Sequence, residues 1–199
     1  MVIAKMSTMK IAVSGSAGVG KTTLAQNLAQ ALNIAYIPEH YEPLFDSLDK
    51  LDSPPNGLAE LFNKVLDIKL SEQEKYGSFV ADRCSADLLN LWLRRKLFGL
   101  PEASQAFHSR CREAMSSYDL IVIPPWGRLP LVATEQPDRI QQRVVNPWLQ
   151  LLNHASIAGF VRMFVDEEKI IYLPSELPLG DSWVNMVLAR MGADGRNVQ

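Results

Sequence analysis

Short apolar runs alternate along the chain with segments whose apolar positions repeat at helical spacing. Lys10 to Ser14 reads as a first strand. A glycine-rich stretch from Gly15 to Gly20 follows, and then a helix to about Leu32, on which Leu24, Leu28, Ala31 and Leu32 share one face. Ile34 to Ile37 is a second short run, punctuated by Pro38. Residues 51–57 (LDSPPNG) form a turn cluster, after which Leu58, Leu61, Phe62, Val65 and Leu66 trace one helix face. Ser78 to Ala81 reads as a third strand ending at Asp82. Helices are predicted over Ala86–Leu97 and about Glu102–Ser116, separated by Gly99 and Pro101. Leu120 to Ile123 is a fourth strand, stopped by Pro124 and Pro125. Residues 126–137 read as loop and Asp138 to Val145 as a polar helix. Pro147 predicts a bend before a further helix, Ile170 to Leu173 a fifth strand, and about 181–191 a last helix.

Strands alternating with helices imply a parallel sheet covered on both faces. The strands are uninterrupted apolar runs, as a doubly buried sheet requires. The turn cluster at 51–57 is no linker, because the alternation continues through it. The expectation is one α/β domain over residues 1–199.

Composition changes this picture little. Of 199 residues, 47% are hydrophobic and 21% charged, with a formal net charge of −2, which excludes wholesale disorder and argues against a duplex-coating protein. Cys84 and Cys111 stand in no CxxC or Cys/His cluster, so free thiols are expected rather than a zinc site. The first ten residues lack the apolar region of a signal peptide, and no apolar run reaches the ~18 residues that span a bilayer. The expectation is a soluble, cytoplasmic protein with no membrane partner.

Residues 15–22 read Gly-Ser-Ala-Gly-Val-Gly-Lys-Thr, which satisfies G-x-x-x-x-G-K-[ST] between a strand and a helix. Glycines let the backbone turn its N–H groups inward, and the helix N-terminus adds partial positive charge beneath a phosphate. Gly15, Ser16, Ala17, Gly18, Val19, Gly20, Lys21, Thr22 and Thr23 are therefore the candidate cradle for a nucleoside triphosphate. Lys21 would reach the β- and γ-phosphates, and the Thr22 hydroxyl would ligate Mg²⁺. A GTPase switch needs D-x-x-G and N-K-x-D. No aspartate here has glycine three positions on, and Leu66 stands where Asn63-Lys64 would require an aspartate. Strand four ends without the acidic pair usual in motor and AAA+ ATPases.

Three motifs together resemble the small-molecule P-loop kinases: deoxynucleoside kinases, thymidylate kinases and the nicotinamide riboside kinase-like group of AAA-type domains. They are the loop spacing G-x-x-G-x-G-K-[ST], the Ile37-Pro38-Glu39 step after strand two, and Asp82-Arg83-Cys84-Ser85-Ala86-Asp87 after strand three. The resemblance covers most of residues 9–175. It implies a P-loop NTPase three-layer fold with a five-stranded parallel sheet in the order 2-3-1-4-5, and a lid at about 126–146. It implies ATP and Mg²⁺ as cofactors and a small-molecule acceptor, a nucleoside, a nucleotide or a similar metabolite.

A hydroxyl acceptor needs a carboxylate to orient it or take its proton. Glu39 is the candidate, with Glu42 in reserve. Asp82 would hold Mg²⁺, or else cap the following helix. Arg83 would contact the acceptor or the transferring group, or else form an ion pair. Asp87 would read the acceptor, or simply be a polar helix position. Arg139 and Arg143, four apart on one helix face, are the candidate lid arginines, with Arg128 behind them. Trp92, Trp148 and Trp183 read as packing residues rather than stacking platforms, and Trp126, at the mouth of strand four, is the exception. Two other classes stay open: a P-loop ATPase with a regulatory or assembly role, and a polynucleotide-end kinase using Arg94-Arg95-Lys96. No sequence feature specifies oligomeric state.

Overall fold

The computed structural model describes residues 8–41, 54–129 and 146–193. In chain order these form β1 (Lys10–Val13), α1 (Lys21–Leu32), β2 (Ala35–Ile37), α2 (Pro55–Glu74), β3 (Phe79–Asp82), α3 (Ser85–Arg94), α4 (Pro101–Ser116), β4 (Leu120–Ile123), α5 (Pro147–Phe164), β5 (Ile170–Tyr172) and α6 (Asp181–Ala193). The five strands form one sheet in the order β2-β3-β1-β4-β5, and every pairing is parallel.

Alternate strand residues point to opposite faces, and this divides the core in two. Ile11, Val13, Val80, Val122 and Ile171 pack with α1 and α6. Ala12, Phe79, Ala81, Ile121, Ile123 and Ile170 pack with α2, α3, α4 and α5. The second layer is tied by aromatic rings. Trp92 of α3 stacks on Phe107 of α4 at 4.4 Å between centroids, and Phe62 of α2 meets both edge-on at 5.5 and 5.9 Å. Such pairs contribute about 0.5–1.5 kcal/mol each beyond the area they bury. They fix α2 against α3, and the charged groups at the β3–α3 junction depend on that placement.

Two local readings are corrected, and a third is given its start. The turn cluster closes earlier than expected: Pro55 opens α2 at its first position, where a missing N–H costs nothing. Pro147 opens the expected helix, and the bend expected before it involves residues outside the described ones. Pro147 is the first residue of α5, capped by the Asn146 side chain, which accepts from the N–H groups of Trp148 and Leu149. The helix expected to run to Leu97 stops at Arg94, and a 3₁₀ turn covers Leu97–Gly99. Trp148 is also no packing residue, with 76% of its surface exposed. Among the described residues no helix is long and apolar enough to cross a membrane.

Candidate active site

The sequence 15–20 turns where β1 ends. Gly15, Gly18 and Gly20 take φ values of 138°, 78° and 83°, a region open to glycine at little cost. Two of these positions are also tight. A Cβ on Gly15 would meet His154 Nδ1 of α5 at 3.4 Å, and one on Gly20 would meet Leu129 Cδ1 at 3.3 Å. The loop delivers the chain to α1 at Lys21. Lys21 is buried, and its Nζ donates to the Ser16 carbonyl at 2.6 Å. Burial lowers its pKa to about 8; the Arg83 charge acts in the same direction, and Asp87, Asp82 and Glu39 oppose it. Ser16 Oγ is buried with no hydrogen-bond partner.

Parallel pairing of β1 and β3 sets Val13 opposite Asp82. Thr22, at the start of α1, then reaches the end of β3. Its hydroxyl donates to Asp82 Oδ2 at 2.6 Å. The other oxygen, Asp82 Oδ1, is buried without a partner. A hydroxyl beside an unsatisfied carboxylate oxygen fits a hard divalent cation, and Mg²⁺ commonly takes only one or two protein ligands beside water and phosphate. The donor set therefore fits Mg²⁺. Among the described residues no group of three or more His, Cys, Asp and Glu is placed to hold a metal.

One residue later the chain turns sharply. Arg83 has φ 67°, and its N–H still donates to the Val13 carbonyl at 2.9 Å. The turn aims its guanidinium across the end of β2. Nε donates to Glu39, and Nη1 donates to Asp87 Oδ1 at 2.8 Å. The guanidinium carbon lies 5.6 Å from the centre of the Tyr41 ring, and the Tyr41 hydroxyl donates to the Cys84 carbonyl at 3.1 Å. Burial raises the Glu39 pKa, but the Arg83 charge, its hydrogen bond, and the charges of Lys21 and Lys69 outweigh that. The net shift is downward from the ordinary value of 4.5.

Asp87 is buried, and both its oxygens are engaged. Oδ2 accepts from Ser14 Oγ at 2.5 Å and from the Cys84 N–H at 3.3 Å. Cys84, not Asp82, is the residue that caps α3, in a capping box with Asp87. Both cysteines are free and buried, and burial pushes the Cys84 thiol up to about 12.

The structure thus gathers Gly15–Thr22, Glu39, Asp82 and Arg83 at the carboxyl ends of β1, β2 and β3, the edge where open α/β sheets bind ligands. Thr23 is exposed on the first turn of α1. Glu42, Arg139 and Arg143 lie outside the described residues, as does most of the lid segment 126–146. Arg128 is described, and its Nη2 donates to the Leu177 carbonyl at 3.3 Å.

Two further residues reach this site, although the sequence gives neither a decisive pattern. Lys69 of α2 is 1% exposed, and its Nζ donates to the Asp82 carbonyl at 3.0 Å. Burial lowers its pKa to about 8, opposed by Cys84 and then by the charges of Asp87 and Asp82. Its signal was positional: Phe62, Val65, Leu66, Lys69 and Gln73 lie on the buried side of α2, so the lysine occupies a core position. His154 of α5, which packs against Gly15, has a buried Nδ1 with no partner. Burial, and then the Lys21 charge, lower its pKa.

Residues 10–146, more than half of the chain, match the family described as AAA domain. The chain belongs to this family. Solved structures extend the AAA domain comparison to the whole fold. A NadR protein in complex with NR superposes with a TM-score of 0.63 at 17% identity, over 94% of this chain and 52% of that one. The AAA domain chain therefore spans about half the length of that protein. Deoxyadenosine kinase from M. mycoides gives 0.64 at 13% identity, over 93% of this chain and 100% of that one. Thymidylate kinase from Candida albicans gives 0.65 at 12% identity, over 97% and 94%. The AAA domain chain has the fold of these small-molecule P-loop kinases. A search of curated proteins gives no match.

Proposed function

We propose that the chain is an ATP- and Mg²⁺-dependent phosphotransferase acting on a hydroxyl of a nucleoside, a nucleotide or a similar small metabolite. The observation that carries this reading is the placement of two chemically different sets at one sheet edge. Thr22 and Asp82 meet at 2.6 Å beside the glycine loop. The next residue, Arg83, grips Glu39 on the neighbouring strand end. The first set suits a metal–triphosphate, and the second offers a carboxylate to an acceptor. The names of the fold's neighbours, NadR, deoxyadenosine kinase and thymidylate kinase, agree with a nucleoside- or nucleotide-sized acceptor.

The roles follow from the chemistry. Backbone N–H groups of residues 15–20 and the start of α1 would cradle the phosphates. Lys21, released from the Ser16 carbonyl, would bring its charge to the β- and γ-oxygens. Thr22 and Asp82 would hold Mg²⁺, which when bound neutralises charge building on those oxygens. Glu39, ionised at neutral pH, would accept a hydrogen bond from the acceptor hydroxyl and then its proton. That hydroxyl oxygen bonds the γ-phosphorus, the bond to the β–γ bridging oxygen breaks, and ADP leaves. Arg83 would hold Glu39 in place and face the negative charge of the transferring group. Arg139 and Arg143 enter the proposal from the sequence alone, as lid cations over the γ-phosphate, within one domain spanning 1–199.

The test is a metabolite-library screen with ATP and Mg²⁺, read as ADP formed above the acceptor-free rate. ADP formation that no acceptor stimulates supports a regulatory ATPase instead.

A further inference from the structure

Lys69 is costly where it stands. Removing an ammonium from water is strongly unfavourable, and this one sits in the layer of Phe62, Val65 and Leu66. The Asp82 carbonyl it meets lies one residue past the last recorded β2–β3 pair, Ile37 with Ala81. That carbonyl belongs to the peptide that leads into left-handed Arg83. A left-handed non-glycine residue persists only where its surroundings hold it. A neutral donor such as glutamine would serve that carbonyl with less desolvation. The surroundings explain why a charge is kept instead: Glu39, Asp82 and Asp87 converge on this junction, and they are faced by Lys21 from α1, Lys69 from α2 and Arg83 from the β3–α3 turn. Tyr36, Tyr41 and the buried Cys84 thiol are further titratable neighbours among the described residues.

We propose that Lys69 is a positioning residue of this site: its buried ammonium pins the Asp82–Arg83 peptide from α2 and so holds Arg83 in the turn from which it grips Glu39 and Asp87. Lys69 touches neither nucleotide nor acceptor in this account. It acts through Asp82 and Arg83. The inference rests on the phosphotransferase reading for its kinetic consequence only, because the electrostatic consequence belongs to the folded protein whatever its reaction.

The experiment compares wild type with Lys69→Gln, which keeps a donor and loses the charge, and Lys69→Met, which loses both. Thermal unfolding is measured for each, since replacing a buried charge by a neutral side chain is often neutral or stabilising. The Glu39 carboxyl is followed by ¹³C NMR titration, assigned by its loss in Glu39→Gln. In both variants the charge-assisted bond to the Asp82 carbonyl is lost, Arg83 holds Glu39 less firmly, and the Glu39 midpoint rises by about half a unit or more. Where wild type shows acceptor-dependent ADP release, kcat falls by about tenfold or more, while KM for ATP stays near wild type and the folded state persists. A Glu39 midpoint unchanged in Lys69→Gln overturns the proposal, with or without kinase activity. So does a Lys69→Gln protein with wild-type kcat. If wild type releases no ADP with any acceptor, the phosphotransferase reading fails separately and the titration alone decides Lys69. If Lys69→Met fails to fold, Lys69→Gln carries the test.

Discussion

The Thr22 hydroxyl donates to the Asp82 carboxylate at 2.6 Å, joining residues 60 apart in the chain. The contact exists because β3 pairs directly with β1, so the residue that closes β3 lies beside the helix that opens after β1. Removing the carboxylate should therefore weaken the metal and leave the loop. Asp82→Asn is expected to raise the Mg²⁺ needed for half-maximal turnover by on the order of 10–100-fold. Nucleotide affinity measured without Mg²⁺ should stay near wild type. Calorimetric titration with and without the metal checks this.

Lys21 is tied to the loop it serves, through the Ser16 carbonyl. Lys21→Met keeps the apolar stem and loses the charge. It is expected to lower turnover by on the order of 10²–10³-fold, the usual effect of losing one donor to transition-state charge. Far-UV circular dichroism should remain that of wild type.

Gly20 combines a φ of 83° with a would-be Cβ contact of 3.3 Å to Leu129. Gly20→Ala should destabilise the fold by about 1–2 kcal/mol, the cost of a left-handed L-residue, and weaken nucleotide binding as well. Denaturant unfolding and a nucleotide-binding isotherm read the two effects separately.

Glu39 supplies the pH dependence. Its folded pKa is depressed below 4.5, the usual unfolded value. The Glu39–Arg83 pair therefore stabilises the fold fully above the unfolded pKa, and that contribution is lost as pH falls through the folded value. A rate that needs ionised Glu39 should hold through the ordinary carboxylate range and fall only below it. Glu39→Gln should lower the plateau of the pH–rate profile and remove that acid limb.

The sheet was legible because each strand is an uninterrupted apolar run bounded by Pro, Gly or Asp, and burial on both faces demands such runs. The loop from Gly15 to Thr22 was legible because its chemistry is contiguous. Glu39 and Asp82 could be singled out because both stand just where a strand ends. What stayed hidden depends on contacts between elements. Lys69 follows Val65 and Leu66 at helical spacing, which puts it on the apolar face, but its bond to the Asp82 carbonyl depends on how α2 packs through Phe62 against Trp92 and Phe107. The pairing of Arg83 with both Glu39 and Asp87 requires the left-handed turn at Arg83, which no local pattern announces. The start of α5 is set by two residues that no apolar pattern marks, Pro147 at its first position and the capping Asn146 before it.

The central claim is that Glu39 and Arg83 serve a hydroxyl acceptor beside a Mg²⁺-triphosphate held by Lys21, Thr22 and Asp82. It is tested most directly by ADP release from ATP and Mg²⁺ across a library of nucleosides, nucleotides and related hydroxyl metabolites, run in parallel on wild type and Glu39→Gln. The account predicts at least one acceptor that stimulates wild type well above its acceptor-free rate, with a phosphorylated product of matching amount, and loss of that stimulation in Glu39→Gln while ATP still binds. Stimulation that persists undiminished in Glu39→Gln, or ADP release that no acceptor alters, would contradict it.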